Sequence, residues 1–257
     1  MSSELAASDD RTVQEQQDLA EDDLHESLAG LSRLAPARLS LDSLLTRVAH
    51  YAVQAIPGAD GAGLTLLEAG RGNTLVATAP FVSEIDAVQY GIGQGPCIMA
   101  AREGRTVVSG SLGSDPRWRQ FGGRVARMGV HSAVSLPLVT PEGVVGAMNV
   151  YAHAKHAFDE RAAELGEVFA GPAAIAVENA HVLERTRRLA LHLQVTLDTR
   201  MVIERAVGIM MSRSGIDEAE ALDRLKTLSQ HEHEKLVVVA QNLVDEAVRR
   251  ARSQHQS

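Results

Sequence analysis

The amino-acid sequence predicts an α+β protein, in which helices flank an antiparallel β-sheet and a long helix then leads into a small bundle of three helices. Two observations predict the first part: strand-like segments alternate with helical ones, and turn residues separate neighbouring strands. The second part is predicted by residues 173–207, which contain neither glycine nor proline, and by the apolar residues at spacings of three and four beyond them.

Composition limits the function more than the fold. The chain has 257 residues, a formal net charge of −8 and a single cysteine, Cys97. One cysteine excludes an internal disulfide and a cysteine-rich metal site, and the net charge argues against binding nucleic acid through bulk charge. The sequence has no run of eighteen apolar residues and no cationic-then-apolar leader, so we predict a cytoplasmic protein without a membrane span.

The negative charge is concentrated near the N-terminus. Residues 1–39 hold nine acidic residues and three arginines, and we predict an acidic tail that is disordered to about Val13. Leucines at helical spacing then predict a marginal amphipathic helix from Gln14 to Leu34, ended by Pro36. This helix either docks on the body of the protein or pairs with a second subunit.

Residues 40–184 form the predicted sheet domain. It begins with a helix from Ser40 that Pro57-Gly58 stops. Strands are predicted at 61–67, 74–79, 105–109, 132–139 and 144–152, the last two as a hairpin. A glycine-containing loop and a short helix are expected over 89–100, and a further helix over 116–128.

A linking coiled-coil helix is predicted over residues 173–198. As one helix from Ala173 to Val207 it would be about 50 Å long. A helix is also predicted to begin at Asp159, and Gly171-Pro172 is expected to kink or restart it. Two adjacent rows of residues repeat every seven positions: Ile175, Val182, Leu189 and Thr196, and then Ala176, Leu183, Ala190 and Leu197. This pattern is typical of a coiled-coil seam and favours a parallel homodimer. The alternative is a helix that lies flat on its own domain.

Residues 196–252 form the predicted three-helix bundle. Its first helix ends at Ser214, before Gly215, and apparent capping boxes at Asp217 and Ser229 start two shorter helices. The first of these is expected to bury Ala221, Leu225 and Leu228, and the second Leu236, Val239, Ala240 and Leu243.

Fixed offsets over about 55 residues of this bundle match a known family. The matching residues are Arg200, Ile203, Ala206, Gly208, Ile209, Met211, Arg213, Gly215, Ala221, Leu225, Ser229, Lys235, Leu236, Val239 and Ala240. With them, the last three helices resemble the ANTAR domain, the RNA-binding output module of bacterial transcription antitermination regulators.

The sheet domain carries a second set of matching motifs. They are YGIGQGPC (Tyr90 to Cys97), EGR (Glu103 to Arg105), DPRW (Asp115 to Trp118), HSAVSLPL (His131 to Leu138) and GAMNVYA (Gly146 to Ala152). Residues 40 to 185 thereby resemble a GAF sensor domain of the kind joined to ANTAR domains in actinobacteria.

The resemblance implies that a dimeric ANTAR domain binds paired hairpins in a nascent leader RNA and prevents a terminator from forming. On this basis we expect Arg200, Arg213 and Lys235 to contact the RNA backbone, while Gly208 and Ser229 let a loop base approach. Arg213 as a helix C-terminal cation and Lys235 as a solvated surface lysine are the structural alternatives. The family often has lysine where this chain has Val207, and the loss of that cation should weaken binding.

For the GAF domain, the resemblance implies a ligand pocket that Tyr90, Cys97 and Tyr151 are candidates to line. The ligand is not identifiable from the sequence. Cys97 is expected to be an inert buried residue, with redox sensing as the alternative. No metal site is predicted, and haem is not expected from the spacing of the histidines: His131, His153 and His156.

An enzyme is not predicted. GAF-like folds also include methionine sulfoxide reductases, but these need a working set of cysteines, and no nucleophile-base-acid set stands out in this chain. The non-enzymatic alternative is a GAF sensor whose C-terminal bundle docks a protein partner. In either case, a long helix would carry a change in the GAF domains to the C-terminal bundle.

Overall fold

The computed structural model describes residues 2–35, 39–68 and 71–254. The helices are α1 (Ser2–Ser32), α2 (Leu41–Ala55), α3 (Pro80–Ile92), α4 (Pro96–Glu103), α5 (Arg119–Arg127), α6 (Glu160–Ser214), α7 (Glu218–Glu232) and α8 (Leu236–Gln254). The strands are β1 (Gly61–Glu68), β2 (Arg71–Ala77), β3 (Val107–Ser109), β4 (Ser132–Thr140) and β5 (Gly143–Ala152). Residues 1–184 and 185–257 form two compact units. The α+β prediction is confirmed.

The first unit is built on a five-stranded antiparallel sheet in the order β2-β1-β5-β4-β3. The hairpin of β4 and β5 pairs Ser135 with Asn149 and Val134 with Val150. Because successive side chains of a strand point to opposite faces, this register separates the sheet residues into two sets. The predicted turn between β1 and β2 includes Ala69 and Gly70, which lie outside the described residues.

Each face of the sheet has its own core. Leu64, Leu136 and Met148 point to the face that packs against α2 and the first part of α6, where Leu45 and Phe169 are fully buried. On the opposite face, Ala133 and Tyr151 of the sheet pack with residues of α3, of α5 and of the segment just before α5, mainly Ile85, Phe121, Val125 and Trp118. The polar groups described below lie on this second face, between the sheet and α3.

The N-terminal helix departs from the prediction. Where the sequence predicts disorder to about Val13, α1 begins at Ser2, and it ends at Ser32. Leu24 and Leu31 are buried in the core against α2. The helix therefore docks on the body of its own chain. Pro36, expected to end it, lies outside the described residues.

The helix α6 continues through the Gly171-Pro172 dipeptide, where the sequence predicts a kink or a restart. A proline inside a helix removes one backbone hydrogen bond. Here Phe169, Ala173 and Ala174 are fully buried on either side of it. Packing against the sheet therefore holds both flanking turns in the helical conformation.

The C-terminal unit is a bundle made by the end of α6 with α7 and α8. Gly215, with φ of +65°, follows α6, and the Asp217 side chain caps α7 by accepting from the Glu220 N–H at 2.8 Å. The prediction of a second capping box, at Ser229, is wrong, because Ser229 lies inside α7 and α8 starts only at Leu236. Its hydroxyl instead donates to the Glu234 carbonyl at 2.6 Å and closes the end of α7.

The burial pattern of the bundle is close to the prediction. Ala206, Ala221, Leu225 and Ala240 are fully buried. Leu228, expected in the core, is 39% exposed, so this expectation is wrong. Among the described residues, no helix combines the length and the apolar character that crossing a membrane requires.

Candidate functional site

Three of the five predicted RNA contacts lie on the last part of α6. Gly208 is exposed in the interior of this helix, and no atom of the described residues lies within 4 Å of the place that a Cβ would take. Its φ is not positive. A glycine here costs about 1 kcal/mol relative to alanine, and neither packing nor backbone conformation requires it. The bare backbone is available to a ligand from outside the chain.

Gly208 lies between two shallow crevices. One, of about 450 Å³, is lined by Arg205, Gly208, Ile209, Ser212, Arg213, Val244 and Ala247. The other, of about 320 Å³, is lined by Arg200, Ile203, Glu204, Val207, Gly208, Met211, Glu218 and Leu222. Predicted cations therefore stand on both sides of the bare glycine, Arg213 on one and Arg200 on the other.

The arginines around Gly208 differ in their partners. Arg200 donates from Nε to Glu204 Oε1 at 2.7 Å, an exposed i,i+4 pair that stabilises the helix by a few tenths of a kcal/mol. Within the described part of the chain, Arg205 and Arg213 form no ion pair, and both are exposed. Their guanidinium groups are free to bind an anion.

Arg205 lines the same crevice as Gly208 and Arg213 but is not among the five predicted RNA contacts. Its spacing of three residues before Gly208 places both on one side of the helix, and Ser212 follows four residues later. This i, i+3, i+7 spacing around a helical glycine is the sequence signal that places Arg205 beside Gly208.

The other two predicted contacts lie outside these crevices. The Ser229 hydroxyl is bound to the Glu234 carbonyl, so it stabilises the turn after α7. Lys235 has an exposed side chain just before α8, and its carbonyl accepts from the Val239 N–H at 3.2 Å. Val207, where the family often has lysine, is 6% exposed and belongs to the core of the bundle.

A second group of polar residues is buried in the first unit between the sheet and the helices α3 and α4. We call it the Asp86 cluster; its members are Thr65, Asp86, Gln89, Tyr90, Cys97, Ser135, Asn149 and Tyr151. Asp86 Oδ1 accepts from the Tyr151 hydroxyl at 2.7 Å and from Asn149 Nδ2 at 3.2 Å. Ser135 Oγ donates to Asn149 Oδ1 at 2.9 Å. Hydrogen bonds of this kind offset the cost of burying the Asp86 carboxylate and the Asn149 amide.

Tyr90 and Cys97 form the outer part of the cluster. The Tyr90 hydroxyl donates to Thr65 Oγ1 at 2.6 Å and lies 3.3 Å from Cys97 Sγ. The Cys97 N–H donates to Gln89 Oε1 at 2.9 Å, while Gln89 Nε2 has no hydrogen-bond partner among the described residues. Tyr90 lies on α3, where the sequence predicts a loop, so this expectation is wrong.

The structure brings the three predicted pocket residues together, since Asp86 connects Tyr151 to the group around Tyr90. Cys97 is 1% exposed and Tyr151 is fully buried, so a ligand that touches either must first displace a side chain. Burial and then the Asp86 charge raise the pKa of Tyr151. Burial, followed by the neighbouring Cys97, raises the pKa of Tyr90.

Cys97 is buried, as the sequence predicts. Burial and then the Asp86 charge raise the pKa of its thiol to about 11. The thiol therefore remains protonated at neutral pH, whereas redox-sensing cysteines are exposed and have a lowered pKa. This environment favours the inert interpretation of Cys97.

The buried thiol gives an alkaline stability prediction. An unfolded thiol begins to ionise near pH 9, while the native one keeps its proton to about pH 11. Native stability should fall between these values by up to about 2.7 kcal/mol. In urea titrations followed by the single tryptophan, Trp118, we expect Cys97→Ala to lose about 2 kcal/mol less than the unchanged chain between pH 8 and 10.5. Equal losses of unfolding free energy in both proteins would contradict a raised pKa of the Cys97 thiol.

The histidines do not form a metal site in the described part of the chain, where no group of three metal-ligating side chains is present. The His153 ring packs against Phe81 with ring centroids 4.8 Å apart, and its Nδ1 lies 3.0 Å from the Gly129 carbonyl.

Two family models match the chain. Residues 38–178 match the model of the GAF domain, and residues 191–244 match the model of the ANTAR domain. The chain is a GAF–ANTAR protein. A GAF sensor domain followed by an ANTAR RNA-binding domain is the general arrangement of signal-responsive transcription antitermination regulators. Both matched domains are regulatory domains.

The GAF–ANTAR protein is also similar to solved structures. One is the GAF domain of a phosphoenolpyruvate-protein phosphotransferase from Coxiella burnetii, at 14% identity and a TM-score of 0.53, covering 66% of this chain and 98% of that chain. Another is free methionine-R-sulfoxide reductase from Neisseria meningitidis, at 17% identity and a TM-score of 0.48, covering 65% and 93%. At 14% identity, the likeness to the first of these structures shows the fold alone. No curated protein matches the GAF–ANTAR protein.

Proposed function

We propose that this GAF–ANTAR protein is a homodimeric regulator that binds paired hairpins in a nascent leader RNA and prevents transcription termination in response to a signal at its GAF domain. The exposed face of α6 supports this proposal most directly, because a bare glycine there lies beside Arg205 and Arg213, which form no ion pair with any described residue, within the matched ANTAR region. Since bacterial transcripts are made in the cytoplasm, we expect the protein to act there.

Recognition of RNA would use both features of this face. A loop base that is not stacked in a helix can approach the backbone at Gly208. Arg205 and Arg213 beside it carry planar guanidinium groups, which match the geometry of phosphate oxygens. A local basic face of this kind does not require a basic protein, so the net charge of −8 does not oppose it.

Dimerisation is supported by the apolar surface of α6. Val168, Ile175, Val182 and Leu189 recur every seven residues, and each is between 55% and 58% exposed in the single chain. Burying large apolar side chains is worth roughly 1.5–3 kcal/mol each when complete. We propose that a second copy of α6 covers this row, which would supply one ANTAR domain for each hairpin.

The signal would act through the Asp86 cluster. Tyr90 is half-buried at its edge, and the Gln89 amide has a hydrogen-bond donor that no described residue uses. We propose that a small molecule with a hydrogen-bond acceptor enters here by displacing Tyr90. Because the chain has one cysteine, we propose no sulfoxide reductase activity.

Single substitutions test the RNA contacts. We expect Arg213→Ala and Lys235→Ala each to weaken binding to a synthetic RNA with two short-loop hairpins, by roughly three- to tenfold at 0.1 M salt. Each should also reduce the salt-dependence slope by about 1. Lys226→Ala is the matched control, since this lysine pairs with Asp223 on α7 and lines neither crevice. Unchanged affinity in a mobility-shift titration of both variants would overturn the assigned contacts.

A protein-docking role for the bundle is the second candidate. A crevice of about 690 Å³ on α7 includes three acidic residues, Asp217, Glu220 and Asp223, beside the exposed Leu228. An apolar side chain rimmed by charge is typical of a protein interface. Selection of bound RNA from total transcripts distinguishes the two functions, because a docking bundle would enrich no RNA.

A further inference from the structure

The helix α5 of the GAF domain carries a concentration of positive charge that the proposed function does not use. Residues 102–127 contain six arginines and two acidic residues, in a chain whose net charge is −8. Three of the arginines, Arg119, Arg124 and Arg127, lie on α5 and are exposed.

The other three arginines have structural roles. Arg117 binds Asp115 Oδ2 at 2.7 Å and the Val108 carbonyl at 2.6 Å, and its guanidinium lies 4.2 Å from the Trp118 ring centre. Burial raises the pKa of the Asp115 carboxyl, but the hydrogen bonds from Arg117 and from Ser109 outweigh burial and hold this pKa below its usual value.

Arg102 and Arg105 both pair with Glu103, at 3.1 Å and 2.6 Å. By contrast, Arg119, Arg124 and Arg127 have no ion pair within residues 2–35, 39–68 and 71–254. They are cations that the fold itself does not use.

Packing fixes the direction in which these arginines point. Phe121 and Val125 are fully buried on the inner side of α5. At about 100° per residue, Arg119, Arg127 and Arg124 follow one another within an arc of about 140° on the outer side. They span about 12 Å along the helix axis, a length that reaches two neighbouring phosphates of a nucleic-acid strand.

Gly123 lies within this arc. The preceding Gly122 is required by packing, since a Cβ there would lie 1.9 Å from the Leu112 carbonyl oxygen. At Gly123 a Cβ would meet no atom within 4 Å in the part of the chain that the structure describes, and φ is not positive. A helical glycine costs about 1 kcal/mol. As at Gly208, the fold does not require it, and it leaves bare backbone between cations.

We propose that the solvent face of α5, formed by Arg119, Gly123, Arg124 and Arg127, binds the sugar-phosphate backbone of RNA. The proposed function supplies the RNA, and this face would hold it without reading its sequence. An acidic protein is less well matched, because protein interfaces are built around large apolar side chains. In the described chain, the exposed side chains of that kind lie outside residues 102–131.

The test uses the full chain with Arg119→Gln, Arg124→Gln and Arg127→Gln combined. The control combines Arg33→Gln, Arg47→Gln and Lys155→Gln, which remove the same charge from exposed positions elsewhere. Fluorescence anisotropy would measure binding to the two-hairpin RNA and to a scrambled RNA of equal length, between 50 and 200 mM salt. We expect the α5 variant to bind both RNAs about tenfold more weakly at 0.1 M salt. The slope of log affinity against log salt concentration should be smaller by about 2. The control should change neither the affinity nor this slope.

The scrambled RNA separates this inference from the proposed function. If the unchanged protein does not prefer the hairpins, the proposed function fails, while the loss of scrambled-RNA binding in the α5 variant still supports the RNA face. The inference is overturned if the α5 variant binds scrambled RNA within twofold of the unchanged protein and with the same slope. It is also overturned if the control loses as much affinity, or if the unchanged protein binds neither RNA.

Discussion

A full chain carrying Leu189→Lys and Leu193→Lys is expected to be monomeric and to lose strong binding to two-hairpin RNA. Both leucines are more than half exposed on α6, on the same side as Ile175 and Val182. A lysine pair on each helix would place charges in the seam that we propose a second copy covers. Because two linked sites gain roughly 10²- to 10⁴-fold in avidity, affinity for the paired hairpins should fall by at least about a hundredfold.

The same helix provides a matched control. Leu191 and Val195 are 67% and 63% exposed, and they lie about 200° around α6 from Leu189 and Leu193. Leu191→Lys with Val195→Lys should remain dimeric in light scattering at about 10 μM, since the proposed two-stranded seam leaves this side in water. A dimer that survives the first pair of substitutions and dissociates with the second would contradict the proposed seam.

The second large effect is expected at Gly208, where stability and RNA binding should change in opposite directions. Gly208→Leu replaces a helical glycine by a good helix former in open space, so the C-terminal helices should be stabilised by roughly 0.8 kcal/mol. The leucine side chain would cover the bare backbone between the crevices. Losing one base contact of about 1–3 kcal/mol should weaken RNA binding by roughly 5- to 150-fold.

Gly91→Leu controls for the chemistry of this change. Gly91 is also exposed on a helix, α3, and among the described residues no atom lies within 4 Å of the place that a Cβ would take. The Gly91→Leu variant should bind two-hairpin RNA with an affinity within twofold of that of the unchanged protein. Thermal unfolding followed by circular dichroism, together with a mobility-shift titration, measures both quantities. If Gly208→Leu stabilised the helix and left RNA binding unchanged, Gly208 would not be a contact surface.

Local sequence signals predict the elements that depend on local interactions. The helix from Ser40, the hairpin of β4 and β5 and the cap at Asp217 all follow from short-range patterns. The second capping box fails because Ser229 and Glu232 have the spacing of a helix start but lie at a helix end. The helix ends there because His233, the next residue, takes a left-handed conformation with φ of +55° and terminates α7.

The helix α3 was missed for a reason connected with the site. Its buried face is formed by Val82, Ile85, Asp86 and Gln89, at the spacing of a helix but with polar residues in two of the four positions. Hydrophobic periodicity cannot detect a helix whose buried face is polar. The same residues form the Asp86 cluster, whose partners Asn149 and Tyr151 are more than sixty residues away in sequence. Only the tertiary fold brings them together.

The most direct test of the proposed function is to sequence the RNA that is crosslinked to this protein in the cells that produce it, with the Gly208→Leu variant beside it. We predict repeated pairs of short-loop hairpins upstream of transcription terminators, bound by the unchanged protein and depleted at least about fivefold in the variant. Bound RNA without paired hairpins, or equal recovery with both proteins, would contradict it.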